Sequence, residues 1–334
     1  MRQFVASVLA GLKAKIHPAN TSYLRDAMKR LLTCLLLPLL LSACGSDSDT
    51  TDDSSFPRTL NLGDNYTATL DMTDVTHGVA EITVNISAKD GQSLQGQAIT
   101  LTPLMVMASG MEHGTPFENS TGTLDENGAF TSTAYFLMPS NMPSGDPMGD
   151  WSVTVTFDTQ SVSIPLTIEM ISSDVKTLKG SDTDQIMNMS GGTTDRTYYL
   201  YNRARHINSA MNMNMFEIYV AARESMMNYQ AIADGNVLNA DTMYELTINN
   251  VVVEMCASEC DLETNWITAM AKDNHPGIYQ GMGLGLAGDD TDMIMVRLTV
   301  NNEAKDNGAT TDAIETVTFS FSESDTSSTT HQHM

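Results

Sequence analysis

Residues 79–86 read VAEITVNI, a run in which apolar side chains occupy every second position. Strict alternation over this length predicts a β-strand with one buried face and one exposed face. The same pattern returns along the first half of the chain, with Gly, Asn, Asp and Pro between the runs, and it is clearest at 98–104, 129–137, 151–157 and 162–169. No long helical pattern competes with these runs, so we predict an all-β protein.

The second half of the chain repeats this organisation. Alternating runs return at 198–204, 216–222, 244–254, 277–286, 293–300 and 316–321. Between the halves, residues 172–196 lose the alternation and gather Gly, Ser, Thr and Asp, which is typical of a linker. We therefore predict two β-sandwich domains in tandem, residues 57–171 and 197–322, joined by a linker over 172–196.

The order of the runs also suggests a duplication. Segments 128–130, 150–156 and 161–169 correspond in spacing to 277–279, 292–298 and 315–321. Either the halves are divergent repeats, or any two β-sandwiches look alike at this level.

The N-terminal region carries a secretory signal. From Met28 the chain reads MKRLLTCLLLPLLLSACGSDSD, with basic residues, a short apolar run and small residues before Cys44. The LSAC ending resembles the lipobox of bacterial lipoproteins, which implies cleavage and lipidation at Cys44; the alternative is a short membrane anchor. We assign residues 1–43 to an upstream extension and signal, with Met28 as the expected start.

The residues after Cys44 indicate the location. Gly45, rather than Asp, resembles the sorting pattern of outer-membrane lipoproteins, and residues 44–56 are predicted to be an acidic tether. The net charge of -24 excludes a basic nucleic-acid-binding surface. We expect the membrane to be a partner through the lipid anchor, with the protein facing either the periplasm or the outside.

The densest group of soft ligands lies in residues 101–114, LTPLMVMASGMEHG. Met105 and Met107 share one face of an extended segment, and Met111 and His113 follow. Thioether and imidazole groups suit copper, and thioethers favour Cu(I). The alternative is that the methionines fill the core.

A second methionine group comprises Met138, Met142 and Met148, just before Trp151. It ends the next pair of strands, so we expect it near the first group, either as further copper ligands or as packing residues. Trp151 is expected to be a core tryptophan of the sandwich.

Residues 75–170 resemble the YtkA-like domains of bacterial periplasmic proteins, which are related to FixH and often encoded near copper-handling genes. The Met-rich stretch ending in His-Gly falls on Met105, Met107, Met111 and His113, and the MPG-x-W segment falls on Met138, Pro139 and Trp151. Here an insertion, NMPSGDPMG, interrupts the second segment. The resemblance implies an immunoglobulin-like sandwich fold and a role with copper, and the second half is a candidate divergent repeat of this domain.

Four further features of the second half and the C-terminus concern ligands. Residues 211–215, MNMNM, follow His206 and form either an exposed copper loop or an apolar edge. Cys256 and Cys260 favour a small-loop disulfide over a thiolate metal pair in an oxidising compartment. His275 is expected to be a solvated loop residue. The flexible tail, residues 323–334, ends with His331, His333 and Met334, which either bind a metal weakly or have no role.

No catalytic motif was found, so we predict a protein that is not an enzyme. The leading hypothesis is an envelope lipoprotein that binds or transfers copper, with a copper-handling envelope protein as its partner. The alternative is an interaction module that binds a protein or polymer without metal.

Overall fold

The computed structural model describes residues 56–73, 78–169, 175–208, 213–284 and 293–320, without the side chains of 206–208 and 213–214. Cys44, the first part of the tether and the tail with His331, His333 and Met334 lie outside these ranges. Residues Ser54–Met334 form one compact unit. In the described ranges no helix has the length and apolarity needed to cross a membrane.

In its described residues, the first domain contains nine antiparallel strands. They are β1 (Arg58–Leu62), β2 (Tyr66–Met72), β3 (Val79–Ala88), β4 (Ala98–Met107), β5 (Glu112–His113), β6 (Thr121–Thr123), β7 (Ala129–Tyr135), β8 (Gly149–Phe157) and β9 (Gln160–Leu166). One sheet has the order β1-β2-β3-β7, and the other has the order β5-β4-β8-β9, with β6 on β4. This arrangement confirms the predicted β-sandwich.

The core of the first domain lies between these sheets. The alternation in β3 buries Ala80, Ile82, Val84 and Ile86. Residues of β4, β8 and β9 pack into the same cluster from the other sheet. The period-2 pattern read in the sequence therefore corresponds to the buried face of β3.

The second domain is longer and also almost entirely β. Its strands are β10 (Val175–Lys179), β11 (Gln185–Met187), β12 (Thr193–Asp195), β13 (Thr197–Asn208), β14 (Met213–Arg223), β15 (Tyr229–Ala231), β16 (Val237–Leu238), β17 (Leu246–Thr247), β18 (Val251–Cys256), β19 (Ile267–Thr268), β20 (Met270–Ala271), β21 (Ile278–Met282), β22 (Met293–Val300), β23 (Glu303–Ala304) and β24 (Thr316–Ser320). A single-turn 3-10 helix spans Glu263–Asn265.

The two domains share their strand order. In the second domain one sheet runs β10-β13-β14-β21-β20, with β15 on β14, and the other runs β19-β18-β22-β23, with β24 on β22. Strands β10, β13, β14 and β21 thus repeat the arrangement of β1, β2, β3 and β7, while β18, β22 and β24 repeat β4, β8 and β9. The segments paired in the sequence comparison occupy equivalent strands, and the chain is a tandem of two β-sandwiches.

The segment assigned to a linker, 172–196, is corrected by the structure. Strand β10 pairs with β13, and Leu178 lies in the core of the second domain. Strands β11 and β12 form a hairpin, in which the side chain of Asn188 accepts hydrogen bonds from the Ser190 and Gly192 amides. In residues 175–196 the polar, Gly-rich composition reflects tight turns, and Val175 is already part of the second domain.

A third apolar cluster joins the domains. Tyr135 of β7 packs with Tyr201, Tyr219, Ala221 and Ile278 of the second domain, and all five are buried. The Tyr201 hydroxyl donates to the Tyr135 carbonyl oxygen over 3.2 Å. The two sandwiches therefore meet through a packed aromatic junction.

Candidate functional site

The predicted methionine and histidine cluster lies on the β4–β5 hairpin. Met105 is in register with His113, and the Met107 amide donates to the Met111 carbonyl oxygen over 2.8 Å. Residues opposite one another on antiparallel strands project from the same face of the sheet. The hairpin therefore brings Met105, Met107, Met111 and His113 together on one face.

This row of residues runs from the core to the solvent. Met105 is fully buried in the core of the first domain, where Trp151 is its register partner on β8. Met107 and His113 are half-buried, and the Met111 side chain is 42% exposed. The structure thus places Met105 as a packing residue and leaves Met107, Met111 and His113 within reach of an ion.

The imidazole of His113 lies close to the second domain. Burial lowers the pKa of His113 below its ordinary value, and the nearby charge of Arg223 lowers that pKa further. The neutral imidazole, which is the form that binds metals, is therefore favoured at neutral pH. Arg223 is on β14, so a residue of the second domain adds to the effect that burial has on the pKa of His113.

Gly114 forms the contact that holds the hairpin against the second domain. Its amide donates to the Met226 carbonyl oxygen over 3.1 Å, and a Cβ at this position would lie 2.0 Å from the Met227 carbonyl oxygen. Only glycine permits this approach. Met226 and Met227 are not among the residues predicted from the sequence, although two adjacent methionines are visible there.

The second methionine group is divided by the structure. Met148 is half-buried, and its carbonyl oxygen accepts from the Ala108 amide over 3.1 Å, so it lies beside the end of β4. Met138 packs against the core, and its carbonyl oxygen accepts from Trp151 Nε1 over 2.9 Å. Met142 is 45% exposed in a separate turn of the insertion. Met148 is therefore the member that adjoins the β4–β5 hairpin through its backbone.

Trp151 occupies the core position that the sequence predicted. It is buried, and its ring meets that of Phe136 edge-on with centroids 5.2 Å apart.

Other candidate residues are placed as follows. Cys256 and Cys260 are joined by a disulfide. His275 is 42% exposed, and its Nδ1 lies 4.0 Å from Oε2 of Glu118 across the domain junction. This exposed position between turns agrees with the expected solvated loop residue, and domain packing adds a carboxylate at the limit of ion-pair distance. Met211 lies outside the described residues.

Among the residues that the structure describes, His, Cys, Asp and Glu form no group of three that could hold a metal ion. The sulfur atoms of methionine are a separate type of donor, and they dominate the hairpin described above.

The sheets and the two apolar cores define an all-β protein with two β-sandwich domains in tandem. No protein-family model matches this chain, and no curated protein sequence matches it. Solved structures similar to it include domains 5–6 of the S-layer protein SbsC, with 14% identity, a TM-score of 0.21 and coverage of 80% of this chain and 99% of that one. Another is a conserved domain protein from Bacillus anthracis, with 10% identity, a TM-score of 0.28 and coverage of 80% and 89%. At TM-scores of this size the superpositions are loose, and the fold rests on the sheets and cores themselves.

Proposed function

We propose that this protein is an envelope lipoprotein that binds copper at the end of its first β-sandwich, through Met107, Met111 and His113. The observation that carries the proposal is the register of the β4–β5 hairpin, which sets these residues on one face with graded exposure. Met105, the innermost residue of the row, packs in the core of the first domain. Met148 is the neighbouring candidate for a further ligand.

The chemistry of the donors favours Cu(I). Thioethers are soft ligands that select Cu(I), and imidazole accepts either oxidation state of copper. The positive charge of Arg223, which acts on His113, opposes a divalent ion twice as strongly as a monovalent ion. A site beside this arginine therefore favours the monovalent state.

The remaining parts of the proposal come from the sequence. Lipidation at Cys44 would attach the chain to the outer membrane, and the acidic tether would extend it from the surface. The net charge of -24 would raise the local concentration of cations. The resemblance of residues 75–170 to YtkA-like domains supports a role with copper and a copper-handling envelope protein as partner.

Metal titration tests the hairpin site. The Ser54–Met334 unit, with His331→Ala and His333→Ala to remove the tail ligands, is titrated anaerobically with Cu(I) against a colorimetric chelator. Met111→Leu combined with His113→Ala is expected to remove one bound equivalent. Met243→Leu is the matched control, because this side chain is 87% exposed. A stoichiometry unchanged by the double substitution would reject the site.

A second candidate function is supported by the aromatic junction between the domains. Because buried tyrosines join the two sandwiches, their loops are displayed at a fixed spacing, which suits binding to an envelope polymer or protein. Co-sedimentation with isolated peptidoglycan in the presence of chelator tests this role. Binding that survives the Met111 and His113 substitutions would favour the interaction module over the copper proposal.

A further inference from the structure

A second group of thioethers lies on the outer face of the six-stranded sheet in the second domain. In β14 the side chains of Phe216, Ile218 and Val220 enter the core. Since successive residues of a strand alternate between faces, Met215 belongs to the opposite face, together with Glu217 and Tyr219. The tyrosine end of this outer face packs against the first domain, and Arg203 beside Glu217 pairs with Glu118 of the first domain.

Strand pairing brings two more methionines beside Met215. Met215 is directly opposite Met282 of β21, and Met270 of β20 is opposite Gln280, two residues before Met282. The side chain of Gln280 donates to Glu217, which confirms that this row lies on the outer face. Met270 is therefore the diagonal neighbour of Met282.

The register makes Met282 the neighbour of both other methionines, while Met215 and Met270 lie two strands apart on either side of it. Directly opposed residues have Cβ atoms about 5 Å apart, and diagonal neighbours are about 7–8 Å apart. Each methionine has three rotatable side-chain bonds, so its thioether can adjust over this range. Met270 is 56% exposed, Met282 is 48% exposed and Met215 is half-buried, so solvent reaches the group. On the other side of Met215, the backbone register places His206 of β13.

We infer that Met215, Met270 and Met282 form a second soft-metal site, which binds Cu(I). Three neutral thioethers on adjacent strands present the donor type that selects a soft monovalent ion over Ca²⁺, Mg²⁺ or Zn²⁺. We name these three residues the sheet-face site. It shares no residue with the β4–β5 hairpin, and it stands or falls independently of that proposed site.

The charges beside the sheet-face site are balanced. Glu217 accepts from Arg203 over 2.8 Å and lies 3.2 Å from the Lys272 ammonium group. Arg203 also pairs with Glu118 over 2.8 Å. Two cations therefore face two carboxylates. Because these charges nearly cancel, they repel a bound monovalent cation only weakly.

Methyl NMR gives a direct test in the protein without substitutions at this site. The Ser54–Met334 unit with His331→Ala and His333→Ala is labelled with ¹³C at the methionine methyl groups and titrated with Ag(I), a diamagnetic soft ion of the same charge. Single Met→Leu variants assign the signals. The methyl signals of Met215, Met270 and Met282 are expected to shift together with one equivalent of Ag(I). Shifts no larger than those of the exposed Met187 and Met189 would overturn the inference.

Stoichiometry provides the second measurement. The triple variant Met215→Leu, Met270→Leu, Met282→Leu preserves apolar volume and is expected to bind one Cu(I) fewer than the starting protein. The matched control is Met187→Leu, Met189→Leu, Met243→Leu, which is expected to retain every bound ion. Full stoichiometry in the first triple variant would overturn the inference, whatever the Met111 and His113 substitutions do at the hairpin. If that triple variant unfolds, Met282→Leu alone is expected to weaken binding at least tenfold, and unchanged affinity would reject the site.

Discussion

Tyr135 of the first domain stacks on Tyr219 of the second, with ring centroids 3.8 Å apart and ring planes 12° from parallel. A third ring, that of Tyr201, lies 5.0 Å from Tyr135. Burial raises the pKa of Tyr135 well above its ordinary value, so its hydroxyl stays protonated and donates to Glu118. Tyr135 therefore contributes both its stacked ring and a hydrogen bond to Glu118.

Tyr135→Ala is expected to lower the free energy of unfolding by about 3–5 kcal/mol, because it removes a buried aromatic ring. It is also expected to separate the unfolding of the two domains into two calorimetric transitions. Tyr135→Phe is the control, since it retains the ring and loses only the hydrogen bond to the Glu118 carboxylate, at about 2 kcal/mol. A single transition at the wild-type temperature in Tyr135→Ala would show that the stack does not couple the domains.

Asp184→Asn is expected to destabilise the second domain by about 3–5 kcal/mol, because it removes the carboxylate that pairs with the buried Arg196 and leaves the buried Lys305 with Glu303 alone. The Asp184 carboxylate lies 2.7 Å from Arg196 Nε and 3.0 Å from Lys305 Nζ, and all three side chains are at most 2% exposed. Urea denaturation measures the loss. Glu263→Gln, at an exposed partner of Arg297, is the control and should have a far smaller effect. Equal effects of the two substitutions would contradict the argument.

Glu217 is expected to make stability depend on acidic pH. Burial would raise the pKa of Glu217, but the hydrogen bond from Gln280 and the charges of Arg203 and Lys272 outweigh it and hold the pKa below its ordinary value of 4.5. The ionised form therefore stabilises the fold above pH 4.5, and this contribution is lost as the pH falls through the folded-state pKa.

Glu217→Gln should accordingly flatten the dependence of unfolding free energy on pH in this acidic range. Denaturation at a series of pH values measures the slope, with Glu126→Gln in an exposed turn as the control. The prediction fails if Glu217→Gln and the wild type lose stability in parallel on acidification.

Removing the disulfide by Cys256→Ala and Cys260→Ala is expected to cost about 2 kcal/mol, since the bond closes a short loop and constrains the unfolded chain only modestly. Urea denaturation with and without dithiothreitol measures this effect. The wild type should approach the double variant under reduction, whereas the double variant should be insensitive to the reductant. A wild-type midpoint unmoved by full reduction would contradict the prediction.

Local alternation predicted strand positions well where no tertiary contact interrupted them. The run at 293–300 coincides with β22, and the run at 79–86 lies within β3. The run at 244–254 was less accurate, because it contains two separate strands, β17 at Leu246–Thr247 and the start of β18 at Val251. The Asn249 amide donates a hydrogen bond to the side chain of Asn301, a residue 52 positions away, and Asn249 is not part of a strand. Such a hydrogen bond has no signature within the run itself.

The methionine cluster shows the same division. Its spacing predicted a shared face, and the hairpin register places Met105 and His113 opposite each other. The spacing did not predict how deeply each side chain is buried. Met105 is buried beside Trp151, which the adjacent strand supplies. The contact of Gly114 with Met226 and the effect of Arg223 on His113 both depend on the second domain, so no local pattern could reveal them.

By itself, the sequence determined the all-β class and the tandem order of strands, because period-2 alternation is a local property that every strand carries. The tertiary structure decided what covers each face. One face of β14 carries Met215, Glu217 and Tyr219 at every second position. Tyr219 is buried in the domain junction, whereas Met215 is half-exposed. Alternation separates the two faces of a strand, whereas packing between domains selects the parts of a face that exclude water.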